Sequence, residues 1–198
     1  MLNYHLIDDT INYVHFLGIY MAELQFSRIT KDIENIDFDC GVNSINEYIR
    51  QSYYPFIIQQ AYTYSVKTGD IILGFYQVMF REVILDDFPD DISYSDGGID
   101  DSKIVAVHIR FIAVDSRFHK KEIGTNILRV VVKRIKDLSK EWPIRVITID
   151  ARKELVEWYK REGFIPMKNN TPWQDGVTDA MYFSLVNFPE EIDEYCEL

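Results

Sequence analysis

The stretch FIAVDSRFHKKEIGTNIL, residues 111–128, decides the fold of this chain. It joins an apolar run typical of a β-strand, a turn rich in cations, and a glycine, Gly124, that opens an amphipathic helix. The first turn of a helix leaves backbone N–H groups without partners and carries the positive end of the helix dipole. A strand, turn and helix in this order therefore predict a site for an anion, and a phosphorylated cofactor is the first candidate.

The composition is typical of a folded protein. The 198 residues are 47% hydrophobic and 14% aromatic, which is enough to bury a core. No apolar run approaches the roughly 18 to 20 residues of a membrane span, and the start, MLNYHLIDDT, does not resemble a signal peptide. We therefore expect a cytoplasmic protein without membrane contact. Cys40 and Cys196 are far apart in sequence, which argues against a disulfide scaffold and predicts no metal site.

Charge is unevenly distributed along the chain. The net charge is -11, from 32 acidic and 21 basic residues, and this favours cationic partners over nucleic acid. Residues 117–136 are the exception, with seven basic residues and one acidic residue, Glu122. A solvated helix face explains the later basic residues, but it explains the Lys120–Lys121 pair less well. The basic segment therefore indicates one specific anion rather than polyanions in general.

Apolar periodicity and turn residues predict one mixed α+β domain over residues 1–198. A short helix is one interpretation of the first twenty residues. Pro55 should bend or end the first long helix, the long strand at 71–85 should contain a bulge, and Gly163 should cap the last helix. Residues 86–101 hold seven Asp and should form an exposed loop, and the acidic tail 189–198 should fray. Strands are predicted at 22–29, 62–66, 71–85, 103–114, 144–149, 164–167 and 180–186, and helices at 38–60, 124–138 and 154–162.

Two blocks of this sequence resemble the GNAT superfamily of acetyl-CoA-dependent N-acetyltransferases. IAVDSRFHKKEIGTNIL, residues 112–128, is similar to the family's strand, pyrophosphate loop and helix. ELVEWYKREGF, residues 154–164, is similar to the helix and turn that end in Tyr-x-x-x-Gly-Phe. The blocks occur in the family's order and spacing. The resemblance implies the acyl-CoA N-acyltransferase fold, in which helices flank a central, twisted, mostly antiparallel sheet.

The resemblance also implies a binding site for acetyl-CoA as co-substrate. Exposed backbone groups of Ile112, Ala113 and Val114 would position the thioester. Backbone amides would hold the pyrophosphate, at His119, Lys120, Lys121, Glu122, Ile123, Gly124 and Thr125. Glu122 departs from the family's pattern, because a glycine is usual there. A carboxylate about 6 Å from a phosphate charge costs on the order of 3 kcal/mol at an effective dielectric near 20, unless it points into solvent.

The chemistry that the resemblance implies is transfer of an acetyl group to a primary amine, by direct attack in a ternary complex and without a covalent enzyme intermediate. Tyr159 falls on the family's tyrosine near the CoA sulfur, where a phenol can protonate the departing thiolate. The alternative is that Tyr159 only packs beside Leu155 and Trp158. His108 is a candidate general base, because a histidine titrates near neutrality and this one lies on the same face of the predicted strand as Ile112. A lone histidine on a strand is more often structural, however, and some amines need no enzyme base.

A further segment is similar to one branch of the superfamily. Phe38–Gly41 and Ser44–Ile49 resemble the opening of acetyltransferase toxins that are encoded beside small antitoxins and are understood to acetylate aminoacyl-tRNA. Charge opposes a tRNA substrate, because residues 31–60 hold only two basic residues and the loop at 86–101 would repel phosphate. We therefore expect a small-molecule or peptide amine as acceptor. The toxin is the alternative, and a non-catalytic acyl-CoA-binding or interaction module with the GNAT fold is the third interpretation. A homodimer and, for a toxin, an antitoxin are candidate partners.

Overall fold

The structure of the protein is a computed structural model that describes residues 11–17, 20–33, 35–88, 103–168 and 177–185. The acidic tail and most of the predicted Asp-rich loop lie outside these residues. The chain divides into two compact units, Met1–Val78 with Phe111–Leu128 and Met79–Arg110 with Arg129–Leu198. The expectation of one domain over residues 1–198 stays a prediction. In the described residues, no helix is long and apolar enough to cross a bilayer.

The first unit contains the strands β1 (Ile11–Leu17), β2 (Tyr20–Arg28), β3 (Tyr62–Thr68), and the parts in this unit of β4 (Ile71–Ile84) and β5 (Lys103–Val114). Their order is β1-β2-β3-β4-β5, and the pairs β1–β2, β2–β3 and β3–β4 are antiparallel. The first strand corrects the interpretation of a short helix near the N-terminus, because it pairs along its whole length with the second strand and this pairing outweighs a weak local pattern.

The fourth strand carries the predicted bulge. Val66 faces Gly74 whereas Lys67 faces Ile72, so Leu73 is the extra residue. A Cβ atom on Gly74 would lie 2.5 Å from the carbonyl oxygen of Ala113, which is too close for any side chain. The bulged residue also accepts a hydrogen bond of 2.9 Å through its carbonyl oxygen, from the amide of Asp115. The bulge therefore fixes the end of β5, the strand predicted to position a thioester.

Two short helices, α1 (Asn43–Arg50) and α2 (Tyr53–Ile57), replace the single helix predicted for this segment. The break at Gln51 and Ser52 precedes Pro55, because the proline ring clashes with the carbonyl group four residues earlier. The first helix begins later than predicted, because Gly41 has a φ of +79°, a left-handed conformation that favours glycine.

The core of the first unit includes the buried Cys40, whose thiol donates a hydrogen bond to the carbonyl oxygen of Val42 at 3.7 Å. The thiol therefore serves packing in this unit. The core residues are Ile29, Phe38, Cys40, Ile49, Phe75, Phe111 and Ala113.

The second unit contains the end of α3 (Ile123–Leu138), β6 (Val146–Arg152), α4 (Val156–Arg161), β7 (Ile165–Pro166) and β8 (Thr178–Ser184), together with the remaining parts of β4 and β5. Its strand order is β4-β5-β6-β8-β7. Residues Ala106 to Ile109 of β5 pair in parallel with Val146 to Ile149 of β6, which is the one parallel pair among the described strands. The pairs β6 with β8 and β7 with β8 are antiparallel.

Gly163 ends the fourth helix, as predicted. Its φ is +92°, and its amide donates to the carbonyl oxygen of Lys160 at 3.1 Å, which closes the last turn. The core of this unit is formed by Val83, Phe88, Ala106, Val146 and Tyr182. With mixed helices and strands and mostly antiparallel pairing, the predicted fold class is confirmed.

Candidate functional site

The loop between β5 and α3 belongs to the first unit and has an unusual backbone. Asp115 begins it, and its carboxylate accepts a hydrogen bond of 2.9 Å from the amide of Arg117. Lys120 and Glu122 have φ values of +62° and +58°, a left-handed conformation that costs a non-glycine residue roughly 1 kcal/mol or more. Glu122 thus adopts a glycine-like backbone at the position where a glycine is usual. Its side chain is exposed, which leaves the carboxylate in solvent and reduces its repulsion of an anion.

The amides of this loop are open to a ligand. Within the described part of the chain, no protein acceptor reaches the backbone N–H groups from Lys120 to Gly124. The first helical bond beyond them joins the amide of Asn126 to the carbonyl oxygen of Glu122 at 3.0 Å. Such a run of unpaired amides at a helix start fits the diphosphate of a CoA thioester. Thr125, also predicted to take part, follows this run in the first turn of α3.

Two of the predicted residues are partly occupied by the protein itself. The amide of His119 donates to the carbonyl oxygen of Ser116 at 3.4 Å, which is a long hydrogen bond. The ring Nε2 of His119 lies 2.9 Å from the carbonyl oxygen of Val114, so the protonated nitrogen donates to that oxygen. Of the strand residues, Ala113 is buried and Ile112 is half-buried. Through this contact the loop engages the backbone of Val114. The backbones of Ile112 and Ala113 are therefore less involved with the loop than that of Val114.

Three of the seven basic residues at 117–136 form salt bridges with carboxylates of the described residues. The Arg117 side chain holds the pKa of Asp115 below its usual value, and Lys140 with Lys133 does the same for Asp137. Lys120 and Lys121, in contrast, pair with no carboxylate among the residues described. They are the cations that remain for an anion at the loop. The neutralised pairs are Arg117 with Asp37 and Asp115, both at 2.8 Å, Arg129 with Glu162 at 2.8 Å, and Lys133 with Asp137 at 3.1 Å.

A segment before α1 holds the loop in position. The amide of Ser116 donates to the carbonyl oxygen of Asp39 at 2.8 Å. The guanidinium of Arg117 donates to the carbonyl oxygen of Asp37 at 3.0 Å and to its carboxylate at 2.8 Å. The sequence indicated this segment only as a likeness to toxins. Its structural role, anchoring the start of the loop, was missed because it depends on residues about 80 positions away.

The same segment is organised internally by the carboxylate of Asp39. It accepts hydrogen bonds of 2.7 Å from the amide of Gly41 and from the side-chain amide of Asn46. The bond from the Gly41 amide and then that from Asn46 lower the pKa of Asp39. Asn46 also accepts a bond of 3.1 Å from the amide of Cys40. These bonds join the start of α1 to the residues that anchor the loop.

Tyr159 lies on α4 in the second unit and is 4% exposed. Its ring makes edge contacts with Trp158, at 4.5 Å between centroids, and with Phe164, at 5.6 Å. Burial raises the pKa of the Tyr159 phenol, so the group keeps its proton across the physiological range. A protonated phenol can donate to a thiolate, although the higher pKa makes it a weaker acid.

His108 lies on β5 within the second unit and is 6% exposed. Its Nδ1 is 3.0 Å from the hydroxyl oxygen of Thr148, and its Nε2 is 4.0 Å from the carboxylate of Asp150. Burial lowers the pKa of His108 to about 4, with Asp150 opposing the shift. The imidazole is therefore neutral at physiological pH, and it is a weak base.

Part of this chain matches a known protein family. Residues 92–182 match the family model described as "Acetyltransferase (GNAT) domain". No curated protein sequence matches the chain significantly. The predicted resemblance to the GNAT superfamily and the assignment as an acyltransferase are thereby confirmed.

Several solved structures share the fold over most of this chain. A crystal structure of a bacterial toxin is 18% identical, with a TM-score of 0.64, and covers 87% of this chain and 95% of its own. AtaT complexed with acetyl-methionyl-tRNAfMet is 16% identical, with a TM-score of 0.69 and coverages of 88% and 99%. AtaTR bound with AcCoA is 16% identical, with a TM-score of 0.66 and coverages of 88% and 98%. At these identities the likeness shows the fold alone.

Proposed function

We propose that this protein transfers an acetyl group from acetyl-CoA to a primary amine, in a ternary complex and without a covalent enzyme intermediate. The observation that carries the proposal is the run of amides from Lys120 to Gly124, which have no protein acceptor among the described residues. The side chains of Lys120 and Lys121 add the positive charge that a diphosphate requires. Acetyl-CoA supplies an acetyl thioester, whose carbonyl carbon is open to attack by a neutral amine.

The residue roles within this proposal follow from the resemblance and from the local geometry. Backbone groups of Ile112, Ala113 and Val114 orient the thioester, and the contact of Ala113 with Gly74 supports a fixed strand there. The amine nitrogen bonds to the acetyl carbon and loses a proton to solvent, while the carbon–sulfur bond breaks. Tyr159 gives its proton to the departing thiolate and regains one from solvent. The family's spacing from Tyr159 to Gly163 supports this role, and burial keeps the phenol protonated although its raised pKa makes it a weaker acid.

Calorimetric titration of the full chain with acetyl-CoA tests the binding step. The double variant Lys120→Ala, Lys121→Ala should bind about tenfold more weakly, because an exposed ion pair of each lysine with the diphosphate contributes roughly 0.7 kcal/mol. Lys136→Ala is the matched control, since this exposed lysine lies in the last turn of the same helix, and it should bind as the parent does. Absence of both binding heat and thermal stabilisation in the parent would remove the enzyme proposal and leave a non-catalytic module.

A toxin that acetylates aminoacyl-tRNA is the second candidate, and two observations favour it. The segment Phe38–Gly41 resembles the opening of such toxins and is bonded to the loop through Asp39. The similar solved structures include AtaT complexed with acetyl-methionyl-tRNAfMet and AtaT bound to the C-terminus of the antitoxin AtaR. The net charge of -11 opposes a broad tRNA surface. An antitoxin is the partner that this candidate adds.

Thiol release from acetyl-CoA separates the two candidates. The full chain is incubated with a panel of small amines, with peptides, with charged tRNA, and with the same tRNA after deacylation as control. Acetylation of charged tRNA alone, together with toxicity on expression that a neighbouring gene product relieves, supports the toxin. Acetylation of small amines or peptides with harmless high-level expression supports the other acceptor class.

A further inference from the structure

Asn126 is a buried polar residue in the first turn of α3. The residue is 5% exposed, and its side-chain nitrogen Nδ2 is buried without a hydrogen-bond partner among the described residues. A buried donor normally finds an acceptor, because an unpaired one retains the cost of leaving water. Asparagine is also a weak helix former. The residue therefore lowers stability, and no hydrogen bond of its side chain within the described residues compensates for this.

The helix itself provides no partner for the side-chain donor. A short polar side chain in a helix can bond to the carbonyl oxygen four residues earlier. For Asn126 that oxygen belongs to Glu122, and it accepts a hydrogen bond of 3.0 Å from the main-chain amide of Asn126 instead. The side-chain nitrogen does not share this acceptor. It is therefore available to a ligand.

The direction of the side chain places this donor beside the open amides of the loop. The Cα–Cβ bond of a helical residue is tilted towards the N-terminus of the helix, so a side chain covers the turn before its own Cα atom. For Asn126 that turn contains Glu122 and Ile123, which belong to the run of amides without a protein acceptor among the described residues. An unpaired side-chain donor and a run of unpaired main-chain donors thus occur at one helix start.

The chemistry of the Asn126 side chain fits the same anion as the amides. A side-chain amide donates to anionic oxygens, and hydrogen bonds to a charged acceptor are stronger than those between neutral groups. Lys120 and Lys121 are exposed, so water weakens their attraction for an anion. Asn126 donates from a buried position, where a hydrogen bond is electrostatically stronger than in water.

We infer that Asn126 is a further binding residue for the thioester donor, and that its Nδ2 atom donates a hydrogen bond to an anionic oxygen of the diphosphate. The inference rests on the proposed function, because the diphosphate is that of acetyl-CoA. The phosphate contacts that the resemblance implies end at Thr125 and use main-chain groups. The contact from Asn126 depends on the identity of a side chain, so a substitution can remove it.

Two-dimensional nitrogen–proton NMR of the full chain observes this donor directly. The side-chain amide signals of Asn126 are assigned by their absence from the spectrum of Asn126→Ala. Acetyl-CoA and inorganic pyrophosphate should each shift these signals in a saturable way, whereas S-acetylpantetheine, which has no phosphate, should leave them unchanged. The inference is wrong if bound acetyl-CoA leaves the signals unshifted, if pyrophosphate does so while acetyl-CoA shifts them, or if S-acetylpantetheine shifts them.

Calorimetric titration with acetyl-CoA measures the strength of the contact. Asn126→Ala should bind about tenfold more weakly, which is the loss expected when one hydrogen bond to a charged acceptor is removed. Without ligand, its melting temperature should stay the same or rise, because an unpaired buried donor is removed and alanine is the better helix former. Unchanged affinity contradicts the contact, and a lower melting temperature with unchanged affinity assigns Asn126 a purely structural role.

Ser52 provides a matched control in the same unit. It lies between α1 and α2, and its Oγ atom is also buried without a hydrogen-bond partner among the described residues. Ser52→Ala therefore removes an unpaired buried polar group away from the loop. It should bind acetyl-CoA as the parent does. An equal loss of affinity in Ser52→Ala and Asn126→Ala would show a general effect of core substitutions and count against the contact.

Asn126→Asp changes the charge of the side chain and keeps its shape. At about pH 7.5 it should bind acetyl-CoA more weakly than Asn126→Ala does, because a carboxylate repels the diphosphate. The deficit relative to the parent should narrow towards about pH 5.5, where the carboxyl group takes up a proton and donates again. Thermal unfolding establishes that the variant is folded. A deficit in the folded variant that does not change with pH would speak against a contact with the anion.

The titration of the parent separates this inference from the proposed function. A shift of the Asn126 signals by pyrophosphate, without any binding of acetyl-CoA, would remove the proposed function and leave the anion contact standing. Binding and turnover of acetyl-CoA, with Asn126→Ala as active and as tightly binding as the parent, would refute the contact alone.

Discussion

Two of the turns with a left-handed backbone, those at Gly163 and at Glu122, tolerate different residues. Gly163 has a φ of +92°, and a Cβ atom there would lie 3.0 Å from the ring of Phe183. Glu122 has a φ of +58°, yet its side chain lies in solvent. The first turn thus needs glycine for both conformation and space, and the second needs it for conformation alone. A residue other than glycine is therefore tolerated at a family's glycine position where only the backbone conformation matters and the side chain points into solvent.

Of the substitutions considered for these turns, one at Gly163 should have the largest effect on the free energy of unfolding. Gly163→Ala should lower the free energy of unfolding by about 3 to 4 kcal/mol, because the left-handed backbone and the close approach to the Phe183 ring act together. Urea unfolding of the variant and the parent measures the difference. A loss below about 1 kcal/mol would mean that the helix end adapts, and that space does not distinguish the two turns.

The free energy of unfolding should also depend on pH, because the second unit contains the buried side chain of His108. The pKa of His108 is lowered by burial to about 4, so the folded state binds fewer protons than the unfolded state between pH 6.5 and pH 4. This stabilisation is complete above about pH 6.5 and is lost as the pH falls towards 4, with a total near 3 kcal/mol. Unfolding at pH 7 and pH 4.5 should show the loss in the parent and a smaller loss in His108→Gln. Equal losses would assign the effect to other groups.

Tyr159 precedes Gly163 by four residues, and its proposed role as proton donor can be tested by substitution. Tyr159→Phe keeps the ring contacts with Trp158 and Phe164 but removes the proton, so turnover should fall about a hundredfold. Affinity for acetyl-CoA, measured by calorimetry, should not change. Unchanged turnover would show that this tyrosine only packs.

The smallest expected effect is at Glu122. Glu122→Gly relieves the left-handed strain but frees the unfolded chain, so stability should rise by only about 0.5 kcal/mol. Affinity for acetyl-CoA should rise by a small factor, because a solvated carboxylate is removed from the loop. Calorimetry and urea unfolding check both values. A large gain in affinity would mean that the carboxylate faces the phosphates.

Strong local signals made part of this fold predictable. The strand Lys103–Val114 and the helix that follows it were predicted to within one residue, because a long apolar period and a glycine agree there. Gly163 was predicted as a helix cap for the same reason. The first strand, β1, was missed because its pairing with β2, rather than its own pattern, decides its conformation.

The parts of the candidate site that depend on distant residues were not predictable. Arg117 was counted among the seven basic residues of the segment 117–136, and nothing in that segment indicated that Asp37 and Asp115 form salt bridges with it. The ion pair between Arg81 and Asp150 joins residues of two separate strands, and no local pattern of the sequence predicts it. Spacing within a motif reports backbone geometry well, whereas charge balance depends on what the fold brings alongside.

The bonds from Asp37 and Asp39 to Arg117 and Ser116 have a consequence for biosynthesis. They join residues about 80 positions apart, so Asp37 and Asp39 are synthesised well before Ser116 and Arg117. At typical rates of about 5–20 residues per second this delay lasts roughly 4 to 16 seconds. During that time the carboxylate of Asp37 and the carbonyl oxygen of Asp39 lack these partners, and the anchored loop forms only after translation has passed the middle of the message.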